Sequence, residues 1–107
     1  MATKKNSQGT PVLVTTEHRG VFFGYADDGA VEAWEANTGA AVKLSGVRNC
    51  LYWPVANRGF IGLATDGPVE GARVGPAAET LSLAKVTAIV GVTPKAMDAW
   101  ENAPWSR

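Results

Sequence analysis

Val12-Leu13-Val14-Thr15-Thr16, Glu17-His18-Arg19-Gly20 and Val21-Phe22-Phe23-Gly24-Tyr25 follow one another without interruption, and their reading decides the fold. Two extended, β-branched or aromatic runs flank a polar break of four residues that ends in glycine. That pattern predicts a β-hairpin with Glu17, His18, Arg19 and Gly20 at its exposed tip. Downstream, Asp27-Asp28-Gly29 is the next turn signal, because aspartates favour Asx-type turns and glycine supplies positive φ. Val31 to Trp34 then reads as a third strand, closed by Asn37-Thr38-Gly39, and the chain passes to Ala41-Val42-Lys43-Leu44 with Lys43 facing solvent.

Cys50-Leu51-Tyr52-Trp53 has strand composition and stops at Pro54, which cannot donate to a ladder and so marks an edge or a strand end. Phe60-Ile61-Gly62-Leu63-Ala64 reads as a segment buried on both faces. Residues 66 to 78, with Gly67, Pro68, Gly71, Gly75 and Pro76, read as an irregular loop over the sheet. The longest apolar stretch, Leu81 to Val92, alternates well on either side of a phase shift at Ala84-Lys85, where a bulge or short break is expected. Thr93-Pro94 is an N-cap followed by proline at the first helical position, so a short helix over 94–102 is predicted. The expectation is one mainly β domain over residues 11–107. Its core is a small twisted sheet or partly open barrel of five to seven short strands, with that single C-terminal helix and a flexible arm at residues 1–10.

Composition narrows the function classes. The chain has 107 residues, and its ten basic and ten acidic side chains leave a formal net charge of zero. That balance lacks the electrostatic footprint of a nucleic-acid binder, so nucleic acid is disfavoured as a partner. The single cysteine, Cys50, has no internal partner for a disulfide and fits a reducing compartment. The polar N-terminus is not a signal peptide, and no apolar run approaches the roughly 20 residues needed to span a bilayer. A soluble, cytoplasmic protein is expected.

No motif completes a catalytic constellation, and a non-enzyme is expected. His18 is the only histidine. A metal site would need it together with Cys50 or with Asp27 and Asp28, and no spacing supports that. Cys50 as nucleophile with His18 as base is permitted by sequence order alone, whereas free cysteine is more often a small buried hydrophobe. No cofactor and no metal are therefore expected. The stronger candidates are arginines beside turns or aromatic rings, which suit anionic or planar ligands. The candidate ligand-binding set is His18, Arg19, Arg48, Asn49, Tyr52, Trp53, Arg58 and Arg73. The plainer alternative pairs Arg48 and Arg58 with Glu32, Asp66 or Glu70 and places the aromatic rings in the core. Trp100 and Trp105 are the candidate interface residues of a homo-oligomer.

The string Thr15-Thr16-Glu17-His18-Arg19-Gly20-Val21-Phe22 is joined by Arg48-Asn49-Cys50-x-Tyr52-Trp53 and by Gly59-Phe60-x-Gly62-Leu63-Ala64. With Gly67-Pro68, Arg73-Val74-Gly75-Pro76-Ala77 and Ala103-Pro104-Trp105 added, the chain resembles a family of small proteins encoded by tailed bacteriophages and prophages. Residues 26 to 40 depart from that pattern, being richer in alanine and glycine. The resemblance implies expression in the cytoplasm of an infected bacterium and transfers no catalytic residue. It favours an oligomeric binding protein that sequesters an anionic, nucleotide-type immune signal or otherwise engages a host defence protein. A phage assembly or protein-interaction component is the alternative, and a small-barrel nucleic-acid binder a second one.

Overall fold

A computed structural model describes residues 9–17, 20–27, 29–37 and 39–103. Strands β1 (Thr10–Thr16) and β2 (Val21–Ala26) form the expected hairpin, with Leu13 opposite Phe23 and Thr15 opposite Val21. Helix α1 (Ala30–Ala36) leads to the long strand β3 (Val42–Tyr52), a 3-10 turn (Val55–Asn57) and helix α2 (Gly59–Thr65). Strands β4 (Arg73–Val74), β5 (Ala78–Leu83) and β6 (Val86–Gly91) precede helix α3 (Pro94–Asn102). Every pairing is antiparallel, in the order β5-β3-β2-β1-β6, with β4 beside the far end of β3. The protein is mainly β, an unclosed six-stranded sheet with a short C-terminal helix.

The connection from β5 to β6 shows how the sheet is shaped. Leu83 pairs with Val42 at one corner and Val86 with Thr16 at the diagonally opposite one. On a flat sheet those corners would lie roughly 25–30 Å apart, whereas the three Cα steps from Leu83 to Val86 reach at most about 11 Å. Only a strongly coiled sheet brings the corners together. Lys85, at φ 55, takes the left-handed conformation that turns the corner, where the sequence shifts phase.

Coiling creates two cores. Val12, Val14, Ala26, Val42, Leu44, Val47, Leu83 and Val86 fill the inner face, with Ala30, Val31 and Trp34 of α1 packed against them. On the outer face Leu13, Val21, Phe23, Tyr25 and Cys50 are covered by Leu63 and Ala64 of α2 and by Ala96 and Trp100 of α3. Thr93 joins the two helices: its Oγ1 accepts from the Ala96 amide at 3.1 Å and donates to the Thr65 carbonyl at 2.6 Å. The predicted N-cap is therefore also the hinge pin between α2 and α3.

Three local expectations are corrected. The segment Val31 to Trp34 is helical, because its alanines and glutamates are good helix formers and Gly29, at φ 81, opens a helix in place of a hairpin turn. Phe60 to Ala64 is also helical, with Leu63 and Ala64 buried on one side and Ile61 exposed on the other. The two runs Ala41 to Leu44 and Cys50 to Trp53 are not separate short strands, since β3 continues unbroken through Arg48 and Asn49 over 11 residues. No helix among the described residues is long and apolar enough to cross a membrane. Residues 1–8 of the expected arm lie outside the described residues, and Thr10 is already the first residue of β1.

Candidate functional site

Strict alternation from Leu44 would put Arg48 on the inner face. Gly46 reverses it. Between the pairs Tyr25↔Ser45 and Phe23↔Arg48, β2 has only Gly24 while β3 has both Gly46 and Val47. Gly46, at φ 56, supplies the left-handed residue of a glycine bulge, so Val47 joins the inner core and Arg48 turns to the helix-covered face.

There Arg48 is only 6% exposed. Its Nε donates to the Gly75 carbonyl at 2.9 Å, and Nη1 donates to the carbonyls of Trp100 at 2.8 Å and Ala103 at 2.6 Å. Helix α3 has no basic residue in its last turn. The guanidinium supplies the missing positive charge to that carbonyl end from a neighbouring strand. Burial pulls its pKa below the ordinary arginine value, yet arginine remains charged at any physiological pH.

The surrounding rings complete this internal clamp. Phe23 and Trp100 stack with centroids 5.4 Å apart and planes 4° from parallel, and Tyr25 meets Phe23 edge-on at 5.3 Å. The Trp100 indole donates to the Leu63 carbonyl at 3.0 Å, and the Tyr25 hydroxyl donates to the Glu101 carboxylate. Burial first, then the Glu101 bond and charge, hold the Tyr25 hydroxyl protonated well above its usual range. Trp100 is fully buried and so does not offer its ring to a partner. Trp105 lies outside the described residues.

Beyond Cys50 the chain reaches the surface. Among the described residues the exposed large hydrophobic side chains are Leu51 at 56%, Tyr52 at 53%, Val55 at 93% and Ile61 at 54%. All lie between positions 51 and 61, on the end of β3, the 3-10 turn and the start of α2. Asn57, buried within the same stretch, donates from Nδ2 to the Gly67 carbonyl at 2.8 Å and accepts the Val69 amide at 3.3 Å on Oδ1. Gly62 is required where α2 crosses this turn, because a Cβ there would collide with the Asn57 carbonyl oxygen. This exposed apolar stretch, called the ridge for its run along the chain, is therefore anchored at Asn57. An open hollow of about 300 Å³ is lined by Cys50, Leu51, Tyr52 and Trp53.

Charge frames the ridge. Arg73 on β4 is paired across the ladder with Tyr52, is exposed, and has no ion pair among the described residues. Arg58, in the left-handed conformation that opens α2, lies 3.6 Å from Asp66, which Lys95 also approaches at 3.4 Å. Arg58 thus takes the expected acidic partner, whereas Arg48 takes carbonyls instead of Glu32, Asp66 or Glu70. Asn49 is half-buried within β3, where its carbonyl accepts the Gly75 amide at 2.9 Å. Of the eight candidate ligand residues, Tyr52 adjoins Trp53 in the hollow and pairs with Arg73 across the ladder, Arg58 faces Asp66, Arg48 is committed inward, and Asn49 is half-buried.

His18 and Arg19 lie outside the described residues, although the hairpin is closed around them by Thr16 N to Gly20 O at 3.0 Å. Cys50 is buried, and desolvation pushes its thiol up to about 11 against a weaker opposing interaction with the Tyr52 backbone. At neutral pH it is a protonated core side chain and not an activated nucleophile. Among the described residues no three His, Cys, Asp or Glu side chains gather as metal ligands. Sequence reasoning missed Gly46, Val55, Asn57 and Ile61. A glycine inside a strand pattern signals a bulge and was readable at Gly46, whereas no local signal separates exposed Val55 from buried Val47.

Residues 9–100 match the model of a family described as Domain of unknown function (DUF6948), and the chain belongs to that family. No curated protein and no solved structure matches it.

Proposed function

We propose that this member of the DUF6948 family is a non-catalytic binding module that engages a partner protein through the ridge from Leu51 to Ile61. The observation that carries the reading is the confinement of the exposed large hydrophobic side chains, among the described residues, to that one short stretch. Aromatic and arginine side chains around a desolvatable apolar centre are what protein interfaces enrich, and Tyr52, Trp53, Arg58 and Arg73 supply them here. The resemblance to bacteriophage proteins makes a host defence protein, met in the cytoplasm of an infected bacterium, the proposed partner class. A phage assembly partner would use the same ridge.

A second reading, capture of an anionic nucleotide-type ligand, is favoured by one arrangement. Arg73 stands across the ladder from Tyr52, which lines the hollow with Trp53, so a guanidinium and an aromatic side chain are borne on paired positions. Against it, Arg48 is unavailable and Arg58 already faces Asp66. The neutral net charge counts against a nucleic-acid role.

The deciding experiment compares wild type with Val55→Asp/Ile61→Asp in extract of phage-infected bacteria, followed by titration calorimetry with the purified partner. A partner bound at least tenfold more weakly by the double variant, with amide protection confined to residues 51–61 and 73, supports the ridge. Retention of a compound of low mass that is lost with Arg73→Ala but kept by Val55→Asp/Ile61→Asp would replace it with the second reading.

A further inference from the structure

Strands β5 and β6 each have six residues, and among the described residues each is paired on one side only, β5 to β3 and β6 to β1. The two residues between them, Ala84 and Lys85, are hairpin-length, yet no ladder joins the strands. They diverge at the coiled corner, and each leaves a row of backbone N–H and C=O groups without a strand partner among the described residues.

Natural sheets blunt such edges with lysine, proline, bulges or a covering element. Here little of that is present. Ala78–Leu83 carries one charge, Glu79, and Val86–Gly91 carries none; neither contains proline. The irregularity in β6 is the extra residue Thr87, placed between the pairs Thr16↔Val86 and Thr15↔Ala88, and it leaves residues 88–91 in regular register. Thr80 and Ser82 on β5 are exposed, while Ala88, Ile89 and Val90 on β6 are half-buried, so an approaching strand meets no concentrated like charge.

We propose that copies of this chain join edge to edge, the free edge of β5 in one protomer pairing with the free edge of β6 in the next. The occupant is a second copy because one molecule presents both members of the match: two short, nearly uncharged edges, each lacking a ladder of its own. The edges are different strands, so the contact is heterologous, and the strong coiling of each sheet rotates successive copies toward closure into a ring. This surface is built from β5 and β6, whereas the side chains of the proposed function lie between Leu51 and Ile61.

The test uses the full chain with Thr80→Cys and Ala88→Cys as separate variants, each alone and then mixed, treated with a short bismaleimide. Cys50 is buried and stays out of the reaction. Cross-linked dimer at least tenfold more abundant in the mixture than in either variant alone is expected. Native mass spectrometry should give a discrete oligomer, with amide exchange in 78–83 and 88–91 slowing as concentration rises. Ser82→Lys, a charge on the edge with the core untouched, should dissociate the oligomer and leave the circular dichroism of the monomer unchanged. A monomeric mass at all concentrations with no cross-link overturns the proposal, and so does cross-linking as strong within either variant alone as in the mixture.

Discussion

Arg48 with Phe23 and Trp100, and Arg73 with Tyr52 and Trp53, are built from the same materials: an arginine on one strand and a pair of aromatic residues, one of them on the neighbouring strand. The first group is interior, whereas in the second Arg73 and Tyr52 are exposed and Trp53 is half-buried against the outer-face core. Arg48 meets three carbonyls, two of them at the end of α3, and neutralises the negative pole of that helix. Arg73 lies on a two-residue strand at the margin of the sheet and meets solvent. Residue type therefore does not separate a clamp from a binding rim. What separates them is the element that packs above, and for Arg48 the choice of face depends on the bulge at Gly46.

The largest effect expected from breaking this comparison is that of Arg48→Ala. It leaves three carbonyl acceptors in the interior without their donor, a loss of about 3–4 kcal/mol. Arg73→Ala should change stability by less than about 0.5 kcal/mol. Urea midpoints at pH 7 with an unchanged m-value check both, and equal midpoints for the two variants would end the distinction. Arg48→Lys should fall between them, since it keeps the charge but loses the fork that reaches Gly75 and α3 together.

A smaller loss is expected from Gly46→Val. A β-branched side chain at φ 56 is strained by about 2 kcal/mol, although its first carbon would stand 3.4 Å from the Tyr25 ring, close to ordinary contact. The diagnostic part is where the loss appears. If the bulge aims Arg48, amide exchange should accelerate at the C-terminal turn of α3, far along the chain from the substitution. Acceleration limited to β3 would mean that Arg48 finds α3 without the bulge.

Much of the fold could be read from local signals. The hairpin between Val12 and Tyr25, the break at Ala84-Lys85 and the helix capped by Thr93 each rest on a pattern that neighbouring residues complete by themselves. Ala30–Ala36 and Gly59–Thr65 were not legible as helices. The first follows an Asp-Gly turn that equally introduces a strand, and the second contains two glycines whose poor helix propensity is overridden by packing of Leu63 and Ala64. The surface position of part of the candidate set was legible for a similar reason. Tyr52, Trp53 and Arg73 sit beside Pro54 and Gly75, which mark chain reversal and surface. Arg48 carries no such marker, because its partners Trp100 and Ala103 are more than 50 residues away in the chain.

The smallest predicted effect concerns pH and marks the boundary between the two regions at Cys50. Its thiol is pushed up to about 11 in the fold, whereas an unfolded cysteine titrates near 8.5. Below the unfolded value both states hold the proton and the contribution to stability is complete. As pH rises above it the unfolded chain ionises first, so stability falls until the folded thiol titrates in turn, with a slope of at most about 1.4 kcal/mol per pH unit. Tyr25, also raised by burial and by Glu101, adds a loss of the same sign that begins above about pH 10. Urea midpoints of wild type and Cys50→Ala between pH 8 and 10 isolate the thiol. The variant should start lower, because a buried atom is lost, and then decline less steeply than wild type. Parallel declines would place Cys50 with the exposed ridge that begins at its neighbour Leu51, and the inward-facing half of β3 would then end at Asn49.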